Sequence, residues 1–167
     1  MTLAALNSLP LPQLKEALRQ CCGATAWVDR MSERFPVKDT AGLLDAAGSI
    51  WRACTEDDWK EAFSYHPQIG DLASLKQKFA TTASWAAGEQ AAVQQASEAT
   101  LEELAAGNRQ YLEKFGYIFI VCATGKSATE MLHLLKERLP HTPGEEIWVA
   151  MAEQEKITKI RLEKLLI

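Results

Sequence analysis

A chain of 167 residues with 47% hydrophobic content and five tryptophans suffices for one domain with a real core. Its net charge of −4, with no basic block, excludes the electropositive face that a nucleic-acid binder needs. No apolar run of the roughly 18 residues needed to cross a bilayer occurs. Met1–Asn7 lacks a signal peptide's basic start, and Lys164–Ile167 carries no targeting address, so the expected compartment is the cytoplasm.

Leu9-Pro10-Leu11-Pro12 leads into a helix expected near 13–22, ended or kinked by Gly23. A second helix is expected up to about Phe35, because proline at 36 disfavours helical backbone in the residue before it. Asp39 starts the next, with Leu43, Leu44, Ala47, Ile50 and Trp51 at helical spacing. Thr55 caps a helix whose first turn is acidic, Glu56-Asp57-Asp58, and whose apolar side carries Trp59, Ala62 and Phe63. That helix delivers His66-Pro67. Proline after the histidine points to a helix exit with extended backbone, which holds an imidazole more firmly than a solvated helix face does. A His-Pro pair also ends many helices without any chemistry.

Beyond Gly70, Asp71 is expected to cap a short helix bearing Leu72, Leu75 and Phe79, and Thr81-Thr82 to open an Ala-rich helix to about Ala96. Thr100-Leu101-Glu102-Glu103 has the capping-box pattern and is expected to open a separate helix to about Phe115, closed by Gly116. Tyr117–Cys122 is β-branched and aromatic, which favours an extended conformation. Ser127 and Thr142 open the last two helices, the second with Pro143 at its first position. The fold class is therefore all-α: a single compact bundle of eight or nine helices with one short extended segment at 117–122. A lone extended run has no sheet to satisfy its backbone, and each unpaired buried group costs about 1–3 kcal/mol. Either other parts of the protein or an amide-rich ligand must pair with it.

Cys21, Cys22, Cys54 and Cys122 form no C-x-x-C pair, and His66, His133 and His141 lack zinc spacing. The four cysteines read as buried packing residues, and no metal site is expected. Glu89 lies among small residues that let another object approach, and Arg161 lies on the last helix. Taken alone, a Glu or Arg in such a place more often belongs to a solvated helix face.

In combination these stretches are more specific. Phe63-Ser64-Tyr65-His66-Pro67-Gln68-Ile69-Gly70 resembles the His-Pro segment of the OHCU decarboxylases, which act on 2-oxo-4-hydroxy-4-carboxy-5-ureidoimidazoline in uric acid breakdown. Glu89-Gln90 resembles that family's Glu-Gln helix, and Lys114–Ala123 its extended segment. Glu146 through Leu162, with Arg161-Leu162 in place, resembles its last helix. The similarity covers nearly the whole chain, with four motifs in the right order.

The resemblance implies one OHCU decarboxylase-like domain over 1–167 and cofactor-free formation of (S)-allantoin and CO2. It implies a catalytic pair of His66 and Glu89, with Pro67, Ala86, Gln90 and Arg161 at the substrate. The backbone of Phe119, Ile120 and Val121 would bind the ureido and ring amides. A homodimer is implied as well, with urate oxidation and hydroxyisourate hydrolysis upstream. One position departs from the family pattern: a serine often stands three residues before the glutamate, whereas here that residue is Ala86 and the nearest serine is Ser84. The competing reading is a non-catalytic helical interaction module, in which His66, Glu89 and Arg161 would lie apart.

Overall fold

A computed structural model describes residues 1–66 and 90–167, the side chains of 90–97 excepted. Among the described residues the protein is all-helical: α1 Leu3–Asn7, α2 Leu11–Cys21, α3 Thr25–Ser32, α4 Thr40–Arg52, α5 Glu56–Ser64, α6 Gln90–Phe115, α7 Ala128–Arg138 and α8 Pro143–Leu165. Contacts divide the chain into two units, Met1–His66 with Ile147–Ile167, and Pro67–Glu146. The helix expected at Asp71 and the first part of the one expected from Thr81 lie outside the described residues.

Local chemistry explains most boundaries. The Asp39 side chain accepts from the Gly42 amide at 2.7 Å and starts α4. At α5, Thr55 Oγ1 accepts from Asp58 N at 3.2 Å while Thr55 N donates to Asp58 Oδ2 at 2.9 Å, a complete capping box. Ser127 accepts from Glu130 N, and Thr142 from Glu145 N, both at 3.2 Å. Gly116 closes α6 at φ +82°, a conformation that glycine adopts without strain.

Three boundaries differ from expectation. The sequence suggests a break before Thr100, yet α6 runs unbroken from Gln90 to Phe115. Ala96-Ser97-Glu98-Ala99 contains no glycine or proline to release the backbone, so the capping-box pattern falls inside a helix. At the N-terminus α1 was not anticipated; it is a single turn capped by Thr2 Oγ1, which accepts from Ala5 N at 3.1 Å, and five residues are too few to display a period. The second helix stops at Ser32. The chain then tightens through turns in which Arg34 N donates to Met31 O and Phe35 N to Ser32 O.

The first unit is built on tryptophans. Trp27, Trp51 and Trp59 are almost fully buried. Each indole N–H, which needs a partner when buried, donates to a main-chain carbonyl: Trp27 to Ala47 at 3.1 Å, Trp51 to Met151 at 2.8 Å and Trp59 to Trp51 at 2.9 Å. The Trp59 ring also meets Trp148 of α8 edge-on, with centroids 5.2 Å apart. These contacts fix the register of α5 and α4 on α8, and so fix where the end of α5 points.

In the second unit α6 packs against α7. Its core holds Glu146, whose carboxylate is fully buried. Glu146 Oε1 accepts from Tyr111 Oη at 2.6 Å and from Arg138 Nε at 2.6 Å, and Oε2 meets His141 Nδ1 at 2.9 Å. Arg138 reaches on to the Ile120 carbonyl at 2.5 Å, and Lys126 Nζ donates to the Cys122 carbonyl at 2.7 Å. The segment 117–123 is neither helix nor strand. The protein's own cations supply partners for two of its carbonyls.

Candidate active site

His66 follows α5 directly, its amide donating to Phe63 O at 3.2 Å. The expected helix exit is therefore present. The imidazole is half-buried, and its Nε2 lies 2.5 Å from Gln154 Oε1 on α8. Gln154 is 1% exposed, and its amide nitrogen donates to Thr158 Oγ1, 2% exposed, at 3.1 Å. Thr158 in turn faces the Cys22 thiol. A buried polar chain thus runs from the imidazole through one face of α8 to the end of α2.

Tyr65, the residue before His66, lies over Gly23. A Cβ at position 23 would come within 2.4 Å of the Tyr65 ring and 2.8 Å of its Cβ, so only glycine fits without moving the helix exit. Gly23 therefore contributes space at this exit, while α2 itself ends at Cys21 with Cys22 as its cap.

Arg161 is half-buried on α8. Residues 154, 158 and 161 follow the i, i+4, i+7 spacing of one helix face. Arg161 and the residue that holds His66 therefore share a face of α8, about 10 Å apart along its axis at 1.5 Å per residue. Among the described residues no carboxylate lies within ion-pair distance of Arg161. Its positive charge acts on Cys21, where it partly opposes the effect of burial. Burial still pushes the Cys21 thiol up to about 11 and the Cys22 thiol up to about 12. All four cysteines are free and buried, as their spacing led us to expect.

Of the other expected site residues, Phe119, Ile120 and Val121 belong to the second unit. The Ile120 side chain is buried, and the Phe119 ring packs 4.6 Å from the Arg138 guanidinium carbon. The Ile120 carbonyl already accepts from Arg138, so part of this segment's backbone is engaged in structure. Pro67, Ser84, Ala86 and Glu89 lie outside the described residues; Gln90 is the first residue of α6, its side chain undescribed. Among the described residues no group of three or more His, Cys, Asp or Glu could hold a metal ion.

Gln154 and Thr158 were not anticipated from sequence. The available signal was their position: Ile147, Ala150, Met151 and Leu162 mark buried positions of α8, and Gln154 and Thr158 are buried among them. Buried polar side chains must be bonded to something.

The sequence model of the OHCU decarboxylase family matches residues 7–163. The chain belongs to the OHCU decarboxylase family. It is 39% identical over 147 residues to the uric acid degradation bifunctional protein TTL of Arabidopsis thaliana, covering 87% of this chain and 45% of the relative. It is 22% identical over 166 residues to the 2-oxo-4-hydroxy-4-carboxy-5-ureidoimidazoline decarboxylase of Halalkalicoccus jeotgali, covering 99% and 92%. The chain thus spans less than half the length of the bifunctional relative and nearly all of the single-function one. A crystal structure of an OHCU decarboxylase in the presence of (S)-allantoin is 38% identical, with a TM-score of 0.71 over 91% of this chain and 97% of that one.

Proposed function

We propose that this OHCU decarboxylase converts 2-oxo-4-hydroxy-4-carboxy-5-ureidoimidazoline to (S)-allantoin and CO2, acting in the cytoplasm as one domain without a cofactor. The observation that carries the reading is the anchored imidazole of His66 on the α8 face that also bears Arg161.

The substrate's own chemistry makes a cofactor unnecessary. Its hydroxyl and carboxylate share one ring carbon, next to the carbon that bears the ureido group and the ring C=N bond. When the C–CO2 bond breaks, its electron pair forms a ring C=C bond while the C=N pair moves onto the ring nitrogen, which takes up a proton, and an enol is left. A proton delivered to the ureido-bearing carbon, with loss of the hydroxyl proton, then gives allantoin. Handedness requires that the proton arrive on one face from a fixed group.

Histidine suits that task because its ordinary pKa of about 6.5 lies near working pH. Glu89 pairs with His66 and favours its charged form. The planar guanidinium of Arg161 takes the substrate carboxylate or a ring carbonyl. Pro67, Ala86 and Gln90 line the substrate, and the backbone at Phe119, Ile120 and Val121 reads the ureido and ring amides. The enzyme works as a homodimer, downstream of urate oxidation and hydroxyisourate hydrolysis; Trp148, which is 59% exposed, is a candidate interface residue.

The test starts from fresh urate, oxidised and hydrolysed in place, with this protein added and the circular dichroism of allantoin followed. Rapid appearance of the (S) form is expected. A rate and handedness unchanged from the protein-free reaction would refute the proposal.

A further inference from the structure

We infer that Gln154 is a positioning residue for His66, holding the ring through Nε2–H and so setting which nitrogen carries the basic lone pair. The inference rests on the decarboxylase reading for its catalytic consequence, but its structural content stands apart from it.

The Gln154 amide nitrogen donates to Thr158 Oγ1 at 3.1 Å. That orientation turns the carboxamide oxygen toward His66, 2.5 Å from Nε2. An amide oxygen only accepts, so Nε2 donates and the neutral ring has its lone pair on Nδ1.

The anchor is neutral and sits on a rigid element. Gln154 lies within α8, one turn beyond Met151, whose carbonyl holds the Trp51 indole. A hydrogen-bonded partner that fixes ring and tautomer is worth about 10- to 100-fold when removed from a comparable metal-bound histidine. A loss of similar size in turnover is expected here.

Three full-length variants test this. Gln154→Leu keeps the bulk and removes the acceptor; kcat should fall about 10- to 100-fold with KM changed less than about twofold. Gln154→Glu keeps an acceptor and adds a charge that favours imidazolium, so it should retain more activity than Gln154→Leu and move the histidine limb of the pH–rate profile to higher pH. Thr158→Val, which frees the amide to turn, should give a smaller loss than Gln154→Leu. Wild-type kcat in Gln154→Leu, or an unmoved profile in Gln154→Glu, would overturn the inference.

A reading independent of activity comes from ring nitrogen NMR. A slowly exchanging His66 Nε2–H resonance should be present in the wild type and absent in Gln154→Leu. Its absence from a wild type that decarboxylates would refute the anchor and leave the function standing. Its presence in a wild type that does not decarboxylate would uphold the anchor and refute the function.

Discussion

His66 and His141 both follow a helix, and both bond to a side chain of α8, yet their partners differ in kind. His141 Nδ1 meets Glu146, a fully buried carboxylate that Arg138 and Tyr111 already occupy. His66 Nε2 meets Gln154, a neutral amide whose only other described partner is Thr158. In isolation the histidine–carboxylate pair looks the more catalytic of the two. Its surroundings argue otherwise: the Glu146 charge is spent on Arg138, and burial with that carboxylate beside it pushes the Tyr111 hydroxyl up, out of reach of ionisation. The second unit uses charge to hold the 117–123 segment in place, through Arg138 and the Ile120 carbonyl. The first uses neutral groups to aim a ring. A charge satisfied from all sides serves structure, whereas the His66 ring is held at Nε2 by a neutral partner.

The sharpest way to break this contrast is Arg138→Met. Removing one partner of a buried ion pair leaves Glu146 uncompensated and costs about 3–5 kcal/mol. At about 2–4 °C per kcal/mol for a chain of this size, the melting temperature should drop by roughly 6–20 °C. A melting temperature near that of the wild type would show that the cluster is solvated and that the two units do not differ in this way.

Next in size is Arg161→Lys, which keeps the charge but loses the fork of planar donors. A hydrogen bond to a charged group is worth about 1.5–3 kcal/mol, so kcat/KM should fall roughly 10- to 100-fold. The melting temperature should barely move, because no described carboxylate pairs with Arg161. Wild-type kinetics would return Arg161 to the solvated surface.

The smallest effect concerns Cys21 and Cys22, the second of which closes the His66 chain. Their folded-state thiols ionise at about 11 and about 12, against 9.0 as the reference for an exposed thiol. A raised folded-state value contributes stability that is fully present below the unfolded value and is lost as pH rises above it. Urea titrations should therefore show stability declining between pH 9 and 11, and a thiol reagent at pH 8 should label these cysteines only on unfolding. Labelling of native Cys22 at the rate of a free thiol would contradict the burial of the chain's far end.

Much of this was legible in the sequence where the cause is local. Asp39, Thr55, Ser127 and Thr142 cap helices because a side-chain oxygen finds an amide three residues on, and such a pattern is visible in the letters. His66 stands at the expected helix exit because Tyr65 and His66 close turns onto Ala62 and Phe63 just before proline. Thr100 shows the limit of the same rule: a capping pattern opens a helix only where the preceding chain has left one. The Gln154 anchor joins residues 88 apart in sequence, and the Tyr111–Glu146 bond residues 35 apart. No local pattern reports such pairings. They follow from how α4, α5 and α8 lock through their tryptophans, and from how the chain folds back after α7.

The central claim is that His66 delivers the handed proton while contributing little to the fold. The direct measurement is His66→Ala in the coupled dichroism assay, paired with its melting temperature. We predict loss of catalysed (S)-allantoin formation to the protein-free level. The stability loss should not exceed about 1–3 kcal/mol, the cost of leaving the Gln154 oxygen unbonded. Near wild-type turnover with the same handedness would contradict the assignment.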